Sequence, residues 1–181
     1  MSVLAAGVSS VGDWGQAAPA PDAQVFKAAM SDMPASVCVI TTRGAGGVIL
    51  GTTLSAVSSL SLDPPMMLAC FDKRSNTLAA LTEGTEFLIH LLAEGQEAVA
   101  SRMASKGDNK FDQVEWVCGP GNLPQIANCA AVLHCAVENR LPGGDHIIVT
   151  GRVRSVRREN VSPLVYYRRS FFPISRQENP Q

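Results

Sequence analysis

Apolar, β-branched runs separated by turn residues constrain the fold of this chain more than any other feature. They lie at 36–42, 48–54, 66–71, 86–92, 129–141, 146–158 and 164–171, the last of which is interpreted as one final strand. Their residue types and alternation are typical of β-strands, and RGAGG at 43–47 is typical of a hairpin turn. Two short helices are predicted between strands, near 77–82 and 96–104. Many strands with few helices predict an antiparallel β-barrel.

The 181 residues suit one domain with short extensions. Residues 1–21 are rich in Ala, Gly, Ser and Pro, which predicts a flexible leader. Asp22 is expected to cap a helix that Pro34 ends. The predicted domain therefore spans 22–174, followed by a short tail at 175–181.

Charge and hydropathy exclude several classes of protein. A formal net charge of −1 disfavours a dedicated nucleic-acid binder. No stretch approaches the roughly 18 consecutive apolar residues of a membrane span. The apolar start of the chain lacks a preceding Lys or Arg, so no signal peptide is expected. Charged residues make up only 17% of the chain, against about 25% in typical domains, which favours a homodimer that hides apolar surface.

The cysteines and histidines point to no metal site and no disulfide framework. The five cysteines are odd in number and form no CxxC pair. Cys38, Cys70 and Cys135 lie in apolar runs, which indicates buried, reduced thiols in a cytoplasmic protein. The three histidines show no metal-ligand spacing. A nucleophile elbow and a P-loop are also missing from the sequence, and the glycines at 44–47 precede a strand rather than a helix.

The segment 51–77 carries the strongest chemical signal. Its first half is rich in hydroxyls and leads through two prolines into an apolar strand, after which the polar loop 72–77 starts a short helix. Hydroxyls, backbone amides and a helix start suit a phosphate or a polar heterocycle. Ser75 or Asn76 would equally serve as a simple helix cap. On the residues alone, the two interpretations stand about even.

In the order of its segments, the chain resembles the flavin reductase family, the reductase components of two-component flavin monooxygenases. The matching pieces include GTTLSAVSSLSLDPP at 51–65, DKRSNT at 72–77, DNKFDQVEW at 108–116 and GGDHIIVTGRV at 143–153. Together the pieces cover roughly residues 25–172. The resemblance implies a mainly β fold, an antiparallel Greek-key split β-barrel that binds FMN, with a few short flanking helices.

The resemblance also implies site residues. The isoalloxazine ring of the flavin is expected against the first part of the segment, at Thr52, Thr53, Leu54, Ser55, Ala56 and Ser58. The flavin phosphate is expected at Lys73, Ser75, Asn76 and Thr77, with Arg102 near the phosphate and His90 beside the flavin. The nicotinamide is expected near His146, the candidate catalytic residue, and near Tyr167 and Arg168.

Each of these residues also has a purely structural interpretation. His90 lies among apolar neighbours, where a hydrogen-bonded core histidine is the default, and it stands where the family usually has Asn. His146 follows Gly-Gly-Asp and could simply end a turn. Arg102 on a helix is usually a solvated side chain.

The function implied by the resemblance is hydride transfer from NADH to FMN, with reduced flavin passed to a partner monooxygenase. FAD in place of FMN and NADPH in place of NADH stay open, although no motif for a ribose 2′-phosphate is visible. Three alternatives remain: a flavin-dependent reductase of another bound acceptor such as a corrinoid, a non-catalytic flavin- or haem-binding module, and a structural barrel without a cofactor.

Overall fold

A computed structural model describes residue 20, residues 22–107 and residues 109–174. The predicted leader at 1–21, apart from Ala20, and the predicted tail at 175–181 lie outside these residues. The helices of the described residues are α1 (Ala23–Ser31), α2 (Asn76–Ala80) and α3 (Glu97–Ala104). The strands are β1 (Ala35–Ser36), β2 (Cys38–Arg43), β3 (Ile49–Leu54), β4 (Val57–Leu62), β5 (Pro65–Asp72), β6 (Glu86–Leu91), β7 (Trp116–Cys118), β8 (Pro124–Ile126), β9 (Ala131–Gly143), β10 (His146–Arg158), β11 (Leu164–Tyr167) and β12 (Ser170–Pro173).

Seven strands form the main sheet, in the order β3-β2-β6-β9-β10-β5-β4. Every neighbouring pair in it is antiparallel. A smaller sheet has the order β1-β11-β12, and β7 pairs with β8 as a separate hairpin. These pairings confirm the predicted antiparallel, mainly β architecture.

A very short connection forces the main sheet to curl. Strands β3 and β4 occupy its opposite edges, yet only Ser55 and Ala56 separate them in the chain. In a flat sheet these edges would be roughly 29 Å apart, whereas the chain from Leu54 to Val57 spans at most about 11 Å. The edges must therefore approach each other, and the backbone N–H of Cys70 on β5 donates to the Ala56 carbonyl, 2.9 Å away, at this closure.

Strands β2 and β6 are buried on both faces, which explains their nearly continuous apolar sequences. One face packs with α3 and the residues that follow it, in a cluster that includes Val39, Leu88, Leu92, Met103 and Phe111. The opposite face packs in a second cluster that includes Ile40, Phe71, Leu81, Phe87 and Ile89. The sheet thus has a core on each side.

The first helix begins as predicted, because the Asp22 side chain accepts a hydrogen bond of 2.7 Å from the backbone N–H of Gln24. The helix ends at Ser31, shortly before Pro34. Sequence analysis did not predict β4, whose serines have weak β-propensity. The sequence pattern also did not predict the short strand β1 or the hairpin of β7 and β8.

The prediction of one strand over 164–171 is wrong. The run forms a hairpin in which β11 and β12 pair across a turn at Arg168 and Arg169. Both turn residues have positive φ, 48° and 63°. Tight hairpins favour this conformation, but Asn and Gly usually signal it, so two arginines concealed the turn.

Replacing Gly151 on β10 tests the close packing inside the barrel. A Cβ at this position would lie 2.6 Å from Cζ of the buried Phe87 and 3.3 Å from Cβ of Cys135. We expect Gly151→Ala to lower the free energy of unfolding by about 1–3 kcal/mol through overpacking. Val156→Ala, on an exposed part of the same strand, should change it by less than about 0.5 kcal/mol. Urea unfolding measures both, and equal midpoints for Gly151→Ala and the wild type would contradict the described packing.

Candidate functional site

A cavity with a volume of about 520 Å³ lies between β3, α2 and the residues around the end of α3. Three parts of the chain line it. They are β3 with the residue before it (48–52), the polar loop with the start of α2 (72 and 74–77), and the end of α3 with the segment that follows (104–107 and 110–111). We call it the large cavity. Four of the predicted flavin-binding residues line this cavity: Thr52, Ser75, Asn76 and Thr77.

The large cavity carries an excess of positive charge. Arg74, Lys106 and Lys110 line it together with one acidic residue, Asp72. Arg74 donates three hydrogen bonds to the Asp72 carboxylate. Two come from its side chain, at 3.0 and 2.7 Å, and one comes from its backbone N–H at 2.8 Å. These bonds hold the pKa of Asp72 well below its usual range. The four side chains therefore sum to about +2, which suits an anionic ligand.

The polar loop uses some of its predicted residues for its own structure. Ser75 caps α2, because its Oγ accepts from the backbone N–H of Leu78 at 3.3 Å. Lys73 does not line the cavity, since its ammonium donates to the Gly144 carbonyl and its backbone N–H to the Asp145 carbonyl. Lys73 thus joins the loop to the β9–β10 turn, and Ser75 combines capping with a position in the cavity wall.

A smaller cavity of about 400 Å³ lies at the connection between β3 and β4. Ser55, Ala56 and Ser58 line it, together with Cys70 of β5. We call it the small cavity. Thr53 faces elsewhere, because its hydroxyl donates to the Ala100 carbonyl of α3 at 2.7 Å. Leu54 is half-buried against the second core cluster. The hydroxyl-rich segment is therefore distributed between both cavities and the core.

His90 is a core residue with both ring nitrogens hydrogen-bonded. Its Nε2 accepts from the backbone N–H of Ile126 at 3.1 Å, so Nδ1 carries the proton and donates to the Val39 carbonyl at 3.0 Å. Burial lowers the pKa of His90 to about 4, against a smaller opposing effect of the Val39 hydrogen bond. It lines neither cavity, which supports its structural interpretation over a contact with the flavin.

His146 lies near the edge of the large cavity rather than in its wall. It pairs with Asp72 in the ladder of β10 and β5, so it neighbours the polar loop. Its side chain is 43% exposed, and Nδ1 lies 2.8 Å from Oδ1 of Asp145. That hydrogen bond lowers the pKa of Asp145. An exposed imidazole held by a carboxylate is available to a second ligand at this edge.

Arg168 holds helix α1 in place. Its backbone N–H donates to the Ser31 carbonyl at 2.9 Å, and its Nε donates to Oδ1 of Asp32 at 2.7 Å. Its guanidinium also lies over the ring of Tyr167, 5.2 Å from the ring centre. Neither Tyr167 nor Arg168 lines the large cavity or the small cavity. Their predicted contact with the nicotinamide stays a prediction.

Arg102 lies in the last turn of α3 and shapes the segment that follows. Its Nη2 donates to the Asn109 carbonyl at 2.9 Å. Its Nε is buried without a hydrogen-bond partner among the described residues. Arg102 is not in the wall of the large cavity, and its predicted position near the flavin phosphate stays a prediction.

Sequence analysis assigned no role to Lys106, Lys110 or Phe111, although all three line the large cavity. Lys110 and Phe111 lie within DNKFDQVEW, which carried the family resemblance, so a signal was present. Over the described parts of the chain, no group of three or more His, Cys, Asp or Glu side chains is arranged to hold a metal ion. Within the same parts, no helix has the length and hydropathy needed to cross a membrane.

Comparison with known proteins identifies close similarities along most of the chain. The flavin reductase-like domain family matches residues 30–175. A flavin reductase (NADH) of Kitasatospora aureofaciens is 38% identical over 164 residues, which cover 88% of this chain and 86% of that protein. The reductase subunit HsaB of a flavin-dependent monooxygenase from Rhodococcus jostii is 33% identical over 166 residues, 90% of this chain and 84% of that protein.

A solved structure with a comparable level of sequence identity has the same fold. The NADH:FAD oxidoreductase SgcE6 of Streptomyces globisporus, in complex with NAD and FAD fragments, aligns with a TM-score of 0.81 at 30% identity. The alignment covers 87% of this chain and 96% of that chain. The barrel described above is therefore shared with a protein whose structure contains both nucleotide fragments.

The buried His90 predicts a dependence of stability on pH. Its pKa is about 4 when folded and near 6.5 when unfolded, so between these values only the unfolded chain binds the proton. Its contribution is complete above about pH 6.5 and is lost as the pH falls towards 4, by about 2–3 kcal/mol at pH 4.5. We expect urea unfolding at about pH 7 and pH 4.5 to show a smaller difference for His90→Gln than for the wild type. Val132→Ala, which changes a buried ladder partner of His90 without changing a titratable group, should retain the wild-type difference. A His90→Gln difference as large as that of the wild type would contradict the assignment.

Proposed function

The chain belongs to the flavin reductase-like domain family, and on that premise we propose that it is an NADH-dependent flavin reductase that supplies reduced flavin to a monooxygenase. When bound, the nicotinamide donates a hydride and the flavin ring accepts it, so the reactive chemistry is that of the cofactors. The residues of this chain bind the two cofactors and align them. Such alignment lowers a barrier by up to about 7–11 kcal/mol.

The donor set of the large cavity carries this proposal, because it fits the phosphate end of a flavin nucleotide. The cavity combines the Thr52, Ser75 and Thr77 hydroxyls and the Asn76 amide with its excess of positive charge. A phosphate monoester carries about −1.5 to −2 charges at neutral pH, which matches the sum of the lining side chains. Asp72 adds no net repulsion, since Arg74 neutralises it.

The connection at Ser55 and Ala56 is the proposed seat of the flavin ring. The small cavity lies there, and the chain leads from it to Thr52 in the large cavity. Thr53 and Leu54 separate Thr52 from Ser55, and these three residue steps of extended chain span roughly 10 Å. The ribityl chain of a flavin spans a similar distance. One flavin can therefore place its phosphate in the large cavity and its ring against the hydroxyl-rich bend. Thr53 and Leu54 support this strand through α3 and the core.

His146 is the proposed contact of the nicotinamide. It lies beside the large cavity and its imidazole is oriented by Asp145. Hydride transfer needs no general base at this position, so His146 orients the nicotinamide rather than moving a proton. Tyr167 and Arg168 are further proposed contacts on the nicotinamide side. Arg168 would act there by positioning α1, through its hydrogen bond to Asp32.

A homodimer is proposed because helix α1 has an apolar surface that its own chain leaves uncovered. None of the residues of α1 is buried. Val25, Phe26 and the nearby Met33 are 64%, 55% and 62% exposed. Large exposed apolar residues in one region are typical of an interface between subunits.

A cytoplasmic location is proposed on the state of the cysteines. All five are unpaired. Cys38 and Cys135 are buried as predicted, and burial raises the pKa of both thiols to about 12. Cys70 is only half-buried, in the wall of the small cavity, so the prediction of a buried thiol overstated its burial. Unpaired thiols persist in reducing compartments.

The proposed activity is tested by NADH consumption with and without added flavin. We expect little consumption by the protein alone and a rate that saturates as free FMN or FAD is added, because the flavin is a substrate that leaves after reduction. Flavin without protein is the control for background oxidation. A protein that consumes no NADH with FMN, FAD or riboflavin would contradict the proposal, and flavin binding without NADH consumption would favour a non-catalytic module.

The proposed dimer is tested by charge on α1. We expect Phe26→Glu to shift the wild-type dimer to a monomer in light scattering coupled to size exclusion, because a carboxylate cannot be buried without a partner. Val117→Glu is the matched control, since Val117 is also about half exposed but lies on the separate hairpin of β7 and β8. A wild-type monomer at all concentrations would exclude this interface.

A further inference from the structure

We propose that Lys73 is a positioning residue, which holds the β9–β10 turn so that His146 presents its imidazole to the nicotinamide. The turn consists of Gly144 and Asp145. Lys73 acts through Asp145 and His146 and contacts neither cofactor. This inference rests on the proposed function, and it replaces the predicted contact of Lys73 with the flavin phosphate. It connects the polar loop, which lines the large cavity, to the nicotinamide side of the site.

The β9–β10 turn has two carbonyls that the strand ladder does not pair. Gly143 pairs with His146, so Gly144 and Asp145 lie between the paired residues. Gly144 has a φ of 67°, which suits glycine in a tight hairpin. Both central carbonyls accept hydrogen bonds from Lys73. Its Nζ donates to the Gly144 carbonyl, and its backbone N–H donates to the Asp145 carbonyl at 3.3 Å. A single residue of the polar loop therefore holds the whole turn.

The backbone around Lys73 is itself fixed. Lys73 directly follows the last pair of the β5–β10 ladder, which joins Asp72 to His146. The backbone N–H of Ser75 donates to the Asp72 carbonyl at 2.9 Å, and that of Arg74 donates to the Asp72 carboxylate at 2.8 Å. The loop is thus closed on both sides of Lys73. Its hydrogen bonds transmit the position of the loop to the turn.

Asp145 alone holds His146 weakly. Oδ1 of Asp145 lies 2.8 Å from Nδ1 of His146, but the aspartate side chain is 94% exposed and the imidazole 43% exposed. A pair that is this open to water contributes little by itself. The backbone of Asp145 must therefore keep the carboxylate within reach of Nδ1, and Lys73 fixes that backbone. With Nδ1 bonded to Asp145, Nε2 is left for a ligand.

The placement of Lys73 favours this role over a contact with phosphate. Residues 72 and 74–77 line the large cavity, whereas Lys73 does not. Its ammonium and its backbone N–H both donate to the turn instead. Lys73 therefore serves the neighbouring turn from within a loop whose other residues form the cavity wall.

The test is a double-mutant cycle on kcat/KM for NADH at a saturating concentration of FMN. We expect Lys73→Met to lower kcat/KM by about three- to tenfold, the loss typical of one hydrogen bond. His146→Gln should lower it as well. In the His146→Gln background, Lys73→Met should lower it by less than about twofold, because the side chain that Lys73 positions is already missing. Dissociation constants of FMN and riboflavin, measured by flavin fluorescence, should change by less than about twofold in Lys73→Met.

Three further variants control this experiment. Lys73→Arg keeps a donor at this position and should retain most of the wild-type kcat/KM. Arg158→Met, which removes an exposed charge outside both cavities, should change kcat/KM by less than about twofold. Lys73→Gln replaces Lys73→Met if the latter fails to fold.

Four outcomes would overturn the inference. They are an unchanged kcat/KM in Lys73→Met, the same loss with and without the His146 imidazole, equal losses for NADH, FMN and riboflavin, and weaker binding of FMN than of riboflavin in the variant. The third outcome would assign Lys73 a purely structural role, and the last would assign it a contact with the flavin phosphate.

The proposed function has its own readout in this experiment. A wild type that consumes NADH with flavin, together with any of these four outcomes, overturns only the role of Lys73. A wild-type kcat/KM in His146→Gln overturns the inference and the proposed nicotinamide contact of His146, but leaves the flavin reductase activity in place. A wild type that binds no flavin and consumes no NADH overturns the proposed function and this inference together.

Discussion

The two-residue connection between β3 and β4 is the constraint on which the rest of the structure depends. It joins the opposite edges of a seven-stranded sheet, so the sheet can satisfy it only by curling. The same connection places Ser55 and Ala56 at the closure, where the small cavity forms beside β5. Barrel closure and the proposed flavin seat are therefore one feature of the backbone. A longer connection would remove the constraint that draws the two edges of the sheet together.

The large cavity depends on a second close approach, between β3 and α3. At Gly51 a Cβ would lie 3.2 Å from the Ile40 carbonyl and 3.1 Å from Cζ of Phe111, so the missing side chain lets the helix and its following segment pack tightly on the strand. The Gly51 carbonyl is then free to accept from Lys110. The close packing at Gly51 thus positions Lys110, one of the cations in the wall of the large cavity.

The sequence predicted most strands because those of the sheet centre are buried on two faces and read as long apolar runs. It missed β4, a serine-rich edge strand held mainly by its pairing with β5, and it merged β11 with β12 because the arginines of their turn carry no turn signal. Within the candidate site, the wall residues Thr52 and 75–77 could be singled out because one continuous segment of the sequence carries them. Lys110 was not singled out, although it lies in a segment that carried the family resemblance, because no sequence pattern shows its contact with the distant Gly51. His90 illustrates the reverse case, in which the apolar context correctly indicated a core histidine while the family resemblance pointed to the flavin.

The distribution of charge connects the cavity to the proposed reaction cycle. The whole chain has a formal net charge of −1, yet the side chains that line the large cavity sum to about +2. Attraction for an anionic nucleotide is therefore local to the cavity, where low-dielectric walls concentrate the field, and the rest of the surface adds little to it. A reductase that releases its flavin to a second protein needs fast association and only modest affinity. Cations that keep at least part of their hydration provide this balance, because they steer the phosphate into the cavity without the full strength of a desolvated ion pair.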